Sequence, residues 1–420
     1  MPGNIRLISV SPESNKSKGI KQRATFVSKD FAGGVSTVRF LVDLGKRAWQ
    51  IPAPVIPPAW GGKWEGKMYR AVGAGSPRPQ GLGGVFCIVP PHILREVSQR
   101  GSPAQRGWAL NTLAISEQLR GRRSVLGGLA LSTPTGEKRR TVYDAQHGTI
   151  LPGRRIRSEG DKPCGDPAAD EAFEALGATY DLYWSAFKRK SVDNRGLRLD
   201  GSVHYSDNYD NAFWDGSQMV FGDGDGELFH RFTLSVDVIG HELTHGVTQH
   251  EAGLVYAGQP GALNESISDV FGSLVKQRKL KQDAKDADWL IGQGLFTKQV
   301  KGVALRSMKA PGTAYDDPVL GKDPQPGHMK GYRELSYDNG GVHINSGIPN
   351  RAFYLTAIAL KGRAWEKAGQ IWYHALCYRL RRDSSFSDAA KGTAQSAAEL
   401  FGSASQEQKA VEMSWKEVGV

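Results

Sequence analysis

Cysteine is scarce in this chain of 420 residues: only Cys87, Cys164 and Cys377 occur, and none has a Cys-x-x-Cys partner. Three scattered thiols exclude a disulfide framework, although one bridge stays arithmetically possible and the count leaves the compartment open. Long apolar runs are missing as well. No stretch of eighteen apolar residues exists, which excludes a membrane-spanning helix, and Met1 to Lys18 lacks the apolar segment of a secretory signal, so export would need another route or a different start. Acidic residues are sparse at one end only. Up to Gly160 there are 25 Lys plus Arg against 9 Asp plus Glu, whereas the rest holds 29 against 34. The overall charge of +11 therefore belongs to an N-terminal appendage, and neither nucleic acid nor membrane is the expected partner of the remainder.

What is present fits a soluble globular protein of two or three domains, with 39% hydrophobic and 23% charged residues. Residues 1–84 are rich in Gly and Pro, as in Gln50 to Pro58 and Gly73 to Gly81, and read as a mostly disordered basic extension. Patterning resumes at Val85. A helix is predicted over Arg106 to Arg120, then β-like segments at Thr141 to Tyr143 and Gly148 to Leu151, a helix over Asp170 to Lys188, and sheet with long turns from Val203 to Phe232. Beyond that the chain reads as helical: Asn264 to Arg278, Ile348 to Leu360, Ala364 to Arg382, Ser387 to Leu400 and Gln406 to Val418. The predicted class is α+β in two domains, β-rich over 131–235 and helical over 236–420.

The chemistry concentrates in His241-Glu242-Leu243-Thr244-His245. On a helix, residues four apart share one face with Cβ atoms about 5–6 Å apart, so two imidazoles can grip one small cation. The apolar spacing of Val236 to Gly240 and Gly246 to Thr248 puts this pentad on a buried helix, where unpartnered histidines and a glutamate would be costly. A zinc site that performs chemistry needs three protein ligands and an open position. His241, His245 and Glu265 supply three, and Asp269, one turn beyond Glu265, can hold the second ring proton of His241. Glu242 is placed to act as general base on the metal's water. A purely structural metal would instead call for a fourth protein ligand.

With Asn264 to Asp269, Asp210 to Asp215, Ala304 to Met308 and Asp338 to Gly347 in this order, residues 130–420 resemble the thermolysin family of zinc metallopeptidases. Pro90-Pro91-His92 and Pro311 to Asp317 resemble its protealysin-like branch. The resemblance implies a two-domain endopeptidase with the zinc cleft between a β-rich and a helical half. It implies His343, held by Asp338, and Tyr256 as oxyanion donors, and Asn211, Ala212 and Arg306 as the substrate's backbone clamp. Val238 and Leu305 match residues lining the primed-side pocket, so cleavage before bulky apolar residues is expected. Residues 85–130 are expected to be a short inhibitory propeptide, cut before Leu129 or Leu131 and making the product of translation an inactive precursor. The family resemblance implies secretion, against which the missing signal favours the cytoplasm.

One departure stands out. The family's paired calcium ions need several carboxylates, but Lys276, Leu290 and Gln293 occupy matching positions and leave only Asp237 and Asp288. The double calcium site is expected to be absent, with Lys276 paired to Asp237 or Asp288.

Overall fold

Alternating Thr, Val and Phe around Ala24 to Val27 and Val38 to Val42 favour extended chain, and the computed structural model, which describes residues 5–13, 21–29, 35–43, 86–126 and 137–420, carries strands there. β1 (Ile5–Glu13), β2 (Lys21–Lys29) and β3 (Val35–Asp43) form an antiparallel sheet in that order. This differs from the expectation of little order over residues 1–84. The Pro and Gly clusters behind that expectation lie after residue 49, beyond the three strands. The expected cut before Leu129 or Leu131 lies outside the described residues.

Residues 77–420 make a second compact unit. It begins with β4 (Phe86–Cys87), α1 (Pro91–Arg100) and α2 (Pro103–Leu126). β5 (Arg140–Asp144), β6 (Arg154–Ser158), β7 (Leu199–Val203), β8 (Ala212–Trp214) and β9 (Met219–Phe221) complete a six-stranded sheet ordered β4-β8-β9-β7-β5-β6. Its β5, β7 and β9 run parallel, while β4, β6 and β8 each pair antiparallel with a neighbour. The expected strand at Gly148 to Leu151 is instead a turn with Ile150 exposed, and the strand follows at β6.

α3 (Pro167–Phe187) packs on this sheet. Asp166 caps it by accepting hydrogen bonds from the Ala168 and Ala169 amides, with Pro167 preset for the first turn. Then come α4 (Val236–His250), α5 (Gly258–Leu280), the two-residue strands β10 (Leu290–Ile291) and β11 (Arg306–Ser307), and α6 (Asp338–Asn345). α7 (Gly347–Leu360), α8 (Ala368–Tyr378), α9 (Phe386–Phe401) and α10 (Gln406–Glu417) close the helical half. The β-rich half followed by a helical half is thus observed.

Two glycines set the distance between α4 and α5. A Cβ on Gly272 would lie 2.4 Å from the Asp237 carbonyl oxygen, and one on Gly240 would lie 3.0 Å from the Gly272 Cα. Only hydrogen fits at this crossing. The close approach carries α5 against the histidine face of α4.

Candidate functional site

His241 and His245 project from one face of α4, and Glu265 meets them from α5; all three are buried. Their ligand atoms form a small triangle. The two Nε2 atoms are 2.9 Å apart, and Glu265 stands 3.5 Å from each ring through one oxygen apiece. Both rings are held from behind: His241 Nδ1 lies 2.8 Å from Asp269 Oδ1, and His245 Nδ1 lies 2.8 Å from Asn264 Oδ1 and 3.0 Å from Ser268 Oγ. Outer partners of this kind fix which ring nitrogen faces the centre. Glu265 Oε2 is buried with no hydrogen-bond donor. Two imidazole nitrogens and a carboxylate whose Oε2 is orphaned fit zinc at these separations.

Asp269 serves three groups at once. Besides His241, it accepts from Arg306 Nε and Nη2 at 2.9 and 2.8 Å and from Asn350 Nδ2 at 2.8 Å. Burial would raise its carboxyl, but the charges of Arg306 and His241 hold it well below the usual carboxylate range. Burial likewise opposes the Arg306 charge, and Asp269 outweighs it.

Glu242 sits on the same helix with Oε2 accepting the Trp214 amide at 3.1 Å. Across the centre, four successive residues of positive φ, Asp338, Asn339, Gly340 and Gly341, fold the start of α6 sharply. This brings Asp338 Oδ1 within 2.5 Å of His343 Nδ1 and its Oδ2 within 3.0 Å of the His343 amide. His343 Nε2 reaches the Tyr256 hydroxyl at 3.2 Å, and that hydroxyl also donates to Glu265. Burial works against a charged His343 ring; Asp338 and then Glu265 more than offset it, so its pKa is raised.

The cleft beside this centre is filled by the chain's own segment. β4 pairs with β8, and the line continues as Ile88 N donates to Ala212 O at 3.2 Å. Val89 N donates to Asn211 Oδ1 at 3.0 Å, Asn211 Nδ2 donates to Val89 O at 3.4 Å, and Arg306 Nη1 donates to Ile88 O at 3.0 Å. Asn211, Ala212 and Arg306 therefore converge on one extended backbone. Every residue singled out in the sequence as ligand, base, oxyanion donor or clamp is brought to this cleft, while Phe213 and Trp214 are core.

Two groups that the sequence reading named inside motifs were given no role there. His92, just past the Pro-Pro pair, bonds through Nε2 to the Tyr315 hydroxyl at 3.0 Å while its Nδ1 is buried without a partner. Desolvation draws its pKa down to about 3, with Asp338 opposing and His343, Arg306 and Arg95 adding repulsion. Asp210 is buried with Oδ1 unpartnered and its amide on Thr112 Oγ1 of α2. Burial, then the charge of Asp225, raises its carboxyl well above the usual range.

Comparison with known proteins agrees with this geometry. The family model described as thermolysin metallopeptidase, catalytic domain, matches residues 131–249, and that of the alpha-helical domain matches 252–420. The chain is 51% identical over 337 residues to an extracellular metalloprotease of Pectobacterium carotovorum subsp. carotovorum, covering 80% of this chain and 96% of that one. It is 41% identical to a thermolysin of Alicyclobacillus acidocaldarius over 66% of this chain and 50% of the relative. Among solved structures, the precursor of protealysin from Serratia proteamaculans is similar with a TM-score of 0.73 and 55% identity, over 80% of this chain and 99% of that one.

Proposed function

The chain belongs to the thermolysin family of metallopeptidases and is a zinc metalloendopeptidase, and on that premise we propose how its residues divide the work. His241, His245 and Glu265 would hold the zinc, with Asp269 orienting His241. When bound, zinc supplies Lewis acidity to the scissile carbonyl and acidifies a coordinated water. Glu242 takes the proton from the attacking water and delivers it to the leaving nitrogen. His343, oriented by Asp338, and the Tyr256 hydroxyl donate to the oxyanion. Asn211, Ala212 and Arg306 hold the substrate as an added antiparallel strand.

The observation that carries this reading is Ile88-Val89 lying in that clamp beside the ligand triangle. It supports residues 85–130 as a propeptide that occupies the cleft, released by a cut near Leu129 or Leu131. Val238 and Leu305 would line the primed-side pocket. Zinc-loaded protein is expected to hydrolyse blocked dipeptides with Leu or Phe after the scissile bond faster than those with Asp or Gly there. Equal rates across the set would overturn the specificity, and no hydrolysis by processed protein would overturn the mechanism. Export of the enzyme is proposed on the naming of relatives as extracellular metalloproteases.

Docking of the propeptide should depend on pH through His92. Its pKa when docked lies below the ordinary value of 6.5, so its share of docking stability is fully present above 6.5 and is lost as pH falls toward 3. Asp210 acts in the opposite sense. Its raised carboxyl favours docking when protonated, below its ordinary 3.8, and that contribution fades as pH rises through the raised value. In uncleavable Glu242→Gln precursor, the protection factors of α1 amides, which correct for the pH dependence of intrinsic exchange, are expected to drop on acidification from pH 7 to 4, and His92→Gln to remove that drop. Identical profiles for the two would refute the assignment.

We also propose that no calcium pair sits at Asp237. Lys276 Nζ stands 2.7 Å from Asp288 Oδ2 and 3.5 Å from Asp237 Oδ2, and donates to Leu290 O at 3.2 Å. An ammonium there supplies the positive charge that two dications would bring. Calcium binding beside Asp237, measured by calorimetry on the zinc-loaded protein, would contradict this; Lys276→Glu should create a calcium-dependent rise in Tm.

A further inference from the structure

The carboxyl ends of three adjacent parallel strands bring together a group of side chains distinct from the zinc triangle. His147 follows β5, His204 follows β7 and Asp223 follows β9, in a sheet where β5, β7 and β9 are neighbours. Loops at such strand ends converge by topology and are common ligand sites in parallel sheets. The two histidine loops are tied together, since the His147 amide donates to the His204 carbonyl at 2.8 Å.

The side chains repeat the plan of the catalytic triangle. His204 Nε2 lies 2.8 Å from Asp166 Oδ2, as His241 Nδ1 lies 2.8 Å from Asp269, which leaves the other ring nitrogen facing inward. That nitrogen, His204 Nδ1, is 2.8 Å from Asp223 Oδ2. His147 Nδ1 points at the same Asp223 oxygen from 3.8 Å and at Asp207 Oδ1 from 3.7 Å. These last separations are too long for hydrogen bonds. They are close to the roughly 3.4 Å that separates two ligands of a tetrahedral ion with bonds near 2.1 Å.

We propose that His147, His204 and Asp223, with Asp207 at the rim, form a second metal site that takes a divalent transition ion such as Zn2+ or Co2+. Two imidazoles with carboxylates suit such ions better than calcium or magnesium, which prefer oxygen throughout. The ion would link three loops of the β-rich half, the last of them leading out of the sheet toward α4. Binding must replace the hydrogen bond between His204 Nδ1 and Asp223 Oδ2 by bonds from both atoms to the ion.

The test uses full-length Glu242→Gln protein of verified intact mass, loaded with one equivalent of Zn2+ and titrated with Co2+ by calorimetry, with metal content per chain measured in parallel. Two metal equivalents per chain are expected. His147→Ala, at an exposed position, should lose the second equivalent and keep the first. Asp166→Asn keeps an oxygen to cap α3 and should weaken the second equivalent by about 10–100-fold. One equivalent in the parent protein, or a second equivalent unaffected by His147→Ala, would overturn the proposal.

Discussion

Glu242→Gln is expected to lower kcat/KM by about 10²–10⁴-fold while zinc stays at one catalytic equivalent per chain, the usual cost of removing a positioned general base. The substitution is nearly isosteric. Its remaining carbonyl oxygen can still accept the Trp214 amide, which Glu242 Oε2 meets at 3.1 Å, so the β8 to α4 contact and the ligand face persist. What disappears is the ability to take a proton. The precursor should consequently persist at full length, which mass spectrometry of purified protein reads directly if processing is autocatalytic. Activity retained together with zinc would remove Glu242 from the mechanism, whereas loss of zinc would show that the residue acts on the metal instead.

The second large effect is expected at His343. His343→Ala removes a donor from the oxyanion side and should cost about 10²–10³-fold in kcat with KM little changed, because the interaction forms only as charge develops. His343 is buried against Asp338 and Tyr256, so a fall in Tm alone would not be informative. Asp338→Asn supplies the discriminating case. It keeps a side chain of the same size but removes the carboxylate that raises the His343 pKa, and the alkaline limb of the pH–rate profile should move to lower pH. A profile identical to the parent, with kcat unchanged in both variants, would make this pair structural only.

The zinc grip was legible in the sequence because helical period is a local property. Residues 241 and 245 must share a face wherever α4 lies, and Glu265 and Asp269 must share one on α5. The two helices were likewise readable from apolar spacing, as was most of the helical half, to within a few residues at each end. The outer partners were partly legible: Asp269 followed from spacing, whereas Asn264 and Ser268 behind His245 did not. Roles for Asn211, Ala212, Arg306, Tyr256 and His343 came through family resemblance, since no periodicity connects residues so far apart in the chain.

By itself, then, the sequence determined which side chains are adjacent along each element and that the β-rich half precedes the helical half. The tertiary structure alone decided which elements touch. The Gly240–Gly272 crossing brings α5 close enough for a carboxylate to complete the triangle, and edge pairing of β4 with β8 puts Ile88 and Val89 under Arg306 and Asn211. It also decided that His92 would lose its solvation beside His343 and Arg306, and that His147 and His204 would meet at neighbouring strand ends. The physical reason is one of range. Propensity and amphipathic period act over a turn or a strand, whereas convergence of residues far apart in the chain, 218 positions for Ile88 and Arg306, is fixed by the sum of many weak packing contacts, which no short stretch of sequence displays.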